Sequence, residues 1–167
     1  MKPKTRDARL RKILEALKVA VPHLKDLTLE PDVRGVPHLE GIYEHWRPHA
    51  GKQNEAQFSD GTLRLIGLLW ALQDGSAPLL LEEPELSLHT AIVRHIPGLM
   101  ARIARKSGRQ VVVSTHSADL LQDPGIAPEE VLMLSPGKEG TSVMRSADDL
   151  DVRRLLDGGL PVGEAVL

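Results

Sequence analysis

The chain has 167 residues, 41% of them apolar and 26% charged, which suits one globular domain with a sizeable core. Its net charge of −2 gives no general signature for nucleic acid, and the lack of cysteine excludes disulfides and thiolate metal sites and fits a reducing cytoplasm, the expected compartment. No apolar run approaches the ~20 residues of a membrane span, and the basic N-terminus lacks the apolar stretch and cleavage site of a signal peptide.

Residues 5–20 read as a helix, because Leu10, Ile13, Leu14 and Leu17 recur at helical spacing, and Pro22 stops it. The pattern weakens from Leu27 to His49. Leu39, Ile42, Tyr43 and Trp46 predict a strand that ends before Pro48, and Gly51 to Gln57 reads as a polar loop. A second helix is predicted from about Ser59 to Gln73. Ser59 is a good N-cap, Asp60 suits the positive end of the helix dipole, and the density of Leu and Ile predicts that the helix is largely buried. Pro78 to Leu81 is a short apolar run bounded by turn signals, as in a buried parallel strand. A long helix should follow to about Lys106, kinked or divided by Pro97 and ended by Gly108. Gln110 to Ser114 predicts a second buried strand, and Ser117 to Leu121 a short helix. Val131 to Leu134 and Thr141 to Arg145 predict two strands, and about Asp148 to Leu156 a last helix. Strand, long helix, strand at this spacing is a βαβ unit, parallel and right-handed. The expected class is therefore α/β, with parallel strands and flanking helices.

Three segments carry the chemistry. Leu79-Leu80-Leu81 runs directly into Glu82 and Glu83, and carboxyl ends of parallel strands open onto the crevice where α/β proteins bind ligands. Adjacent acids on an extended backbone point to opposite sides. One can reach a hard cation such as Mg²⁺ while its neighbour orients or deprotonates a water. The plainer alternative is an acidic pair that caps the next helix and faces solvent. Val111-Val112-Val113 leads to Ser114-Thr115-His116-Ser117, and the βαβ geometry should bring His116 near those acids. There it can donate a hydrogen bond to a phosphate oxygen or hold a water; otherwise it is a surface-loop histidine. Ser59-Asp60-Gly61-Thr62 opens a helix whose free N–H groups and dipole favour phosphate, while Asp60 opposes it and an ordinary N-cap would explain the same residues.

Other pairings are less informative. His45 and His49 are four apart, but Pro48 disfavours a helix between them. His89 and His95 do not share a helix face. Arg94, Arg102, Arg105 and Lys106 lie around one helix and read better as a solvated face than as a contact to a phosphate backbone.

Taken in order, these segments resemble the ABC-type ATPases of the SMC/RecF group and related AAA-type proteins, which include the overcoming-lysogenization-defect ATPases. Phe58-Ser59-Asp60-Gly61-Thr62-Leu63-Arg64 resembles the signature motif. Leu79 to Glu83 resembles Walker B, with Glu82 at the Mg²⁺ position and Glu83 at the catalytic-base position. Pro84-Glu85-Leu86-Ser87-Leu88-His89 resembles the D-loop region, and Val113-Ser114-Thr115-His116-Ser117 the switch-histidine segment. The match covers residues 58–120. Glu82 stands where the family usually has Asp, Asp60 where many relatives have Gly, and Thr90 where Pro is common in this subgroup. No G-x-x-x-x-G-K-[ST] loop occurs anywhere in the sequence; Gly51-Lys52-Gln53 is the nearest fragment, and only 57 residues precede Phe58.

The resemblance implies the C-terminal half of a P-loop NTPase head, with a remnant of the preceding head over 1–57, the signature, Walker B and switch-histidine core over 58–147, and a helix and tail over 148–167. It implies ATP and Mg²⁺ as ligands, Glu83 and His116 as catalytic residues, Glu82 at the metal, and Ser59, Gly61 and Thr62 on the phosphates of an ATP held by another head. Partners would be a complete or N-terminal ATPase half, or a second copy joined through ATP; nucleic acid is a family partner that the charge does not support. The absent loop predicts no turnover by the isolated chain, and truncation is favoured over a split gene or a degenerate copy. In the family sheet the phosphate-loop strand lies between the His-bearing strand and the next one, here Val131 to Leu134, so its absence predicts an open apolar strand edge. Two alternatives stand beside this: a non-enzymatic partner that lends Ser59 and a dimer surface to a complete head, and a metal-dependent hydrolase using Glu82, Glu83 and Glu85.

Overall fold

The structure, a computed structural model, describes residues 2–46 and 51–166. His49 and Pro48 lie outside the described residues, so the His45/His49 pairing has no structural counterpart here. The chain divides into two compact units, residues 1–79 with 103–111 and residues 80–102 with 112–167.

In the first unit, α1 (Pro3–Leu17) starts on a proline whose missing N–H costs nothing in the first turn. Leu10, Ile13, Leu14 and Leu17 form its buried stripe, as their spacing predicts. The stripe packs on α2 (Asp60–Gln73) and on β1 (Leu24–Pro31), which pairs antiparallel with β2 (Pro37–Tyr43). Only the second of these strands was expected, and it stops at Tyr43 rather than Trp46. Residues 51–57 are not a plain loop: β3 (Lys52–Asn54) adds to the free side of β2, and a 3-10 turn, Glu55–Gln57, follows. Polar residues conceal β3 because it is a short edge strand, whose alternation spans too few positions to be read. The apolar side of this sheet holds Leu24, Leu27 and Phe58, and Gly41 is there because a Cβ would lie 2.9 Å from the Phe58 ring. Tyr43 meets that ring edge-on, with centroids 6.0 Å apart.

At the hairpin end of the same sheet, His38 sits among carboxylates. Its Nδ1 is 2.5 Å from Glu55 Oε1 and its Nε2 is 3.7 Å from Asp32 Oδ2, while Glu30 is its cross-strand partner. The Glu55 hydrogen bond is the main reason His38 is held above its ordinary 6.5, and the same bond holds Glu55 below its ordinary 4.5. Backbone N–H groups, Val36 first, hold Asp32 below 3.8. A raised histidine stabilises the fold below its unfolded value and loses that contribution as pH rises through the folded one; a lowered carboxylate does the reverse on the acid side. The melting temperature lost in His38→Ala is therefore expected to be greatest between 4.5 and 6.5 and to shrink on both sides. A loss that stays constant with pH would contradict this.

Helix α2 is anchored at both ends. Ser59 caps its start, accepting from the Thr62 N–H at 3.2 Å. Arg109 closes its end, donating to the carbonyls of Ala71 at 2.5 Å, Asp74 at 2.6 Å and Ala77 at 2.5 Å, which satisfies acceptors that a helix terminus leaves open. Arg9 binds Asp74 at 2.6 Å and lies over the Trp70 ring at 5.4 Å.

Strands β4 (Leu79–Glu82) and β5 (Val111–Ser114) pair with each other. The Leu79 N–H donates to Gln110 O and the Glu83 N–H to Ser114 O, both at 2.9 Å, and this constant offset makes the pair parallel, as expected. Between them the chain forms α3 (Thr90–Val93) and α4 (Ile96–Ser107). The single long helix predicted from the sequence is thus divided. The break falls at Arg94 and His95, and Pro97 occupies the first turn of α4, where its ring is tolerated.

In the second unit, residues 117–122 are turns with a 3-10 segment at Leu120–Gln122, rather than the predicted helix. A hairpin of β6 (Leu132–Gly137) and β7 (Gly140–Arg145) comes next, then α5 (Leu150–Asp157), capped by Asp149, and α6 (Val162–Val166). Helix α6 was not foreseen; five residues are too few to show a period. Among the described residues β5 pairs only with β4, and β6 only with β7. Leu80 (74% exposed) and Val112 (48%) on β4 and β5, and Leu134 (66%) and Val143 (61%) on the hairpin, remain uncovered. Among the described residues no helix is long and apolar enough to cross a membrane.

Candidate active site

The ends of β4 and β5 bring two of the three predicted segments together. The first residue past β4 is hydrogen-bonded to the last residue of β5, through the Glu83 N–H and Ser114 O at 2.9 Å. Glu82, at the end of β4, is exposed, while Glu83 is half-buried and His116, two residues past β5, is exposed. The two acids are separated differently from the expectation. Glu82 is on the strand, but Glu83 has φ +42, in the left-handed region, so a turn rather than strand alternation parts their side chains. Ser87 has φ +64. Non-glycine residues held there cost about 1–3 kcal/mol each and gather at functional sites. Here they bracket the Pro84-Glu85-Leu86 segment, in which the Leu86 N–H donates to Glu83 O at 3.1 Å and Glu85 O accepts from the Leu88 N–H just beyond it at 3.0 Å.

A second link joins the same two segments and was not read from the sequence. The Thr115 hydroxyl donates to Glu85 Oε1 and accepts from the Ser117 N–H at 2.9 Å. Glu85 follows the acid pair and Thr115 precedes the histidine, but nothing in their spacing says that they meet. Further along, Asp119 Oδ1 accepts from Arg94 Nε at 3.1 Å and Nη2 at 2.9 Å, tying the end of α3 to the loop after His116. Helix α6 holds that loop from another side. A Cβ on Gly163 would lie 2.6 Å from Ala118 O, so only glycine allows the approach.

Ser59, Gly61 and Thr62 belong to the first unit. Ser59 is exposed at the start of α2. Thr62 is 8% exposed, and its hydroxyl is 2.9 Å from Ser59 Oγ, so it serves the cap. Ser59 and the neighbouring Gly61 are the members of this trio that a ligand can reach.

Glu82 offers a hard oxygen at a strand end, which suits Mg²⁺, an ion that keeps most of its waters and takes other ligands from phosphates. Among the described residues no group of three or more His, Cys, Asp or Glu side chains is arranged to hold a metal ion. The residues thus fit a cation that arrives with a nucleotide, not an all-protein cage built from Glu82, Glu83 and Glu85.

A family model described as "AAA domain, putative AbiEii toxin, Type IV TA system" matches residues 4–122. The chain belongs to this AAA family. Among solved structures, a chain from work on ATP-driven dimerization and DNA-stimulated activation of SMC ATPases is similar with a TM-score of 0.64 and 16% identity, over 93% of this chain and 92% of that one. The Smc head domain of Pyrococcus furiosus, with an extended coiled coil and bound to the C-terminal domain of ScpA, gives 0.62 and 17% over 93% of this chain and 38% of that one. The Smc head domain of Pyrococcus yayanosii, with a coiled coil and joint, gives 0.63 and 18% over 94% and 30%. The chain therefore spans less than half the length of either Pyrococcus chain. No curated protein matches. At these identities the likeness shows the fold, which is the α/β fold of the SMC ATPase head.

Proposed function

We propose that this chain is the half of an ATPase head that carries the signature motif, Walker B and the switch histidine, and that it hydrolyses ATP only when another segment supplies the phosphate-binding loop. The observation that carries the reading is the Glu83–Ser114 bond between parallel strands. It sets the end of the Walker B strand beside the segment that leads to His116. Glu83 takes the proton of the attacking water, and His116 donates a hydrogen bond to the terminal phosphoryl oxygens. Glu82 would hold Mg²⁺, which when bound neutralises charge on the phosphates. Ser59 and the first N–H groups of α2 meet the γ-phosphate of a nucleotide held by a facing head.

The missing loop matters because phosphoryl transfer is catalysed mainly by positioning and charge stabilisation. A phosphate loop provides a nest of N–H groups and a lysine, and the sequence contains no such motif. The uncovered Leu80, Val112, Leu134 and Val143 support a partner that supplies the loop together with its strand and covers these residues.

The test compares the chain alone with the chain mixed with a loop-bearing head half, and with a complete SMC-type head. The isolated chain is expected to show no ATPase above background, and either mixture to show stimulation that Ser59→Ala removes. Turnover by the isolated chain that is lost in Glu83→Gln would overturn the dependence on a partner. Stimulation of a complete head that survives Glu83→Gln but not Ser59→Ala would select the non-enzymatic partner instead. A G-x-x-x-x-G-K-[ST] sequence in frame before the Met1 codon would mark the supplying segment as part of the same protein.

A further inference from the structure

We infer that Glu85 is a positioning residue, which orients His116 through the hydroxyl of Thr115; the consequence for catalysis rests on the ATPase reading above. The direction of the link is fixed by its chemistry. The Ser117 N–H can only donate, so Thr115 Oγ1 accepts from it at 2.9 Å. The hydroxyl has one proton, and that proton goes to Glu85 Oε1. The result is a one-way chain from the Ser117 amide through the Thr115 hydroxyl to the Glu85 carboxylate. Bonds of this charge-assisted kind are roughly twice as strong as neutral ones.

His116 lies inside this chain. On one side of it, Ser114 O is held by the Glu83 N–H at 2.9 Å; on the other, the Ser117 N–H is held by Thr115. The backbone is thus secured on both sides of an exposed imidazole, by Glu83 and Glu85 from the same turn. Glu85 has few alternatives, since its Oε2 is shielded from solvent and has no hydrogen-bond partner. Pro84 and the left-handed Glu83 and Ser87 hold the turn that presents it. A shift of this turn would therefore reach His116 through one hydroxyl, which couples the segment after Walker B to the histidine.

The experiment follows the His116 ring by long-range proton–nitrogen NMR in the full chain, with Thr115→Val, Thr115→Ser and Glu85→Gln. Thr115→Val is expected to move and broaden the His116 ring signals while those of His38 stay in place, and Thr115→Ser is expected to restore them. Glu85→Gln, whose carbonyl still accepts the hydroxyl, should move them less and in the same direction. If Thr115→Val loses its fold, the Glu85→Gln shift decides alone. Unchanged His116 signals in the folded variants would overturn the inference. The ATPase reading is judged separately, by Glu83→Gln in the reconstituted head. There Thr115→Val should lower kcat with KM unchanged, and a fall in affinity without a fall in kcat would make Thr115 a binding residue instead.

Discussion

Replacing Glu83 by Gln is expected to lower ATP turnover by about 10²–10⁴-fold in a head reconstituted with a loop-bearing half, with nucleotide binding retained. Gln matches Glu in size and keeps an oxygen acceptor, so the turn after β4 should persist; its backbone bond to Ser114 O does not involve the side chain. What is lost is the carboxylate that, on the proposed reading, takes a proton from water. The measurement is single-turnover hydrolysis beside a binding isotherm, for both proteins at equal occupancy. Equal hydrolysis rates would remove Glu83 from the role of base. Loss of binding in step with loss of rate would assign it to holding the nucleotide. Glu82→Gln should behave differently, with an apparent Mg²⁺ requirement raised more than the rate is lowered, because an amide is a poorer ligand for a hard cation.

Leu69→Ala is expected to destabilise the chain by about 2–5 kcal/mol, the usual cost of emptying a fully buried leucine site. Leu69 is 1% exposed on α2, while Leu63 of the same helix is 37% exposed. Leu63→Ala should therefore cost far less, within about 0.5 kcal/mol if its surroundings are those of an ordinary surface site. Urea unfolding of the two variants with a common slope gives the difference directly. A similar cost at both positions would mean that Leu63 is covered as well. The Ser59 cap and the Arg109 contacts at the far end leave the helix in place, so the loss reflects packing rather than helix formation.

Much of the core was legible. Leu10, Ile13, Leu14 and Leu17 appear as a helical stripe because one face of α1 is buried. The apolar runs Leu79 to Leu81 and Val111 to Val113 foretold the parallel pair β4 and β5 but not its exposure: strands covered on both faces read as continuous apolar runs, yet none of these residues is buried and Leu80 is 74% exposed. The density of Leu and Ile in α2 overstated its burial: Leu63, Arg64 and Gly67 form an exposed strip. Periodicity reports the average environment of a window, and it fails where elements are short. Strand β3 and helix α6 have three and five residues, too few to establish a repeat, whereas Pro97 announced the division of the helix expected to run to Lys106, which falls just before it, at Arg94 and His95.

The order of signature, acid pair and histidine along the chain was enough to reveal the kind of head, since each motif is a run of neighbours and needs no knowledge of distant contacts. The bonds that shape the site could not be seen that way. Thr115 and Glu85 are 30 residues apart, and at the β1–β2–β3 sheet, outside the site, His38 and Glu55 are in the same way 17 apart. The first meeting depends on the β4–β5 register and on a left-handed turn at Glu83 that a glutamate does not choose unaided, the second on the register of β2 and β3. Side chains of this kind find their partners only after the strands have paired, because backbone geometry, not residue type, sets which of many polar groups come within hydrogen-bonding reach.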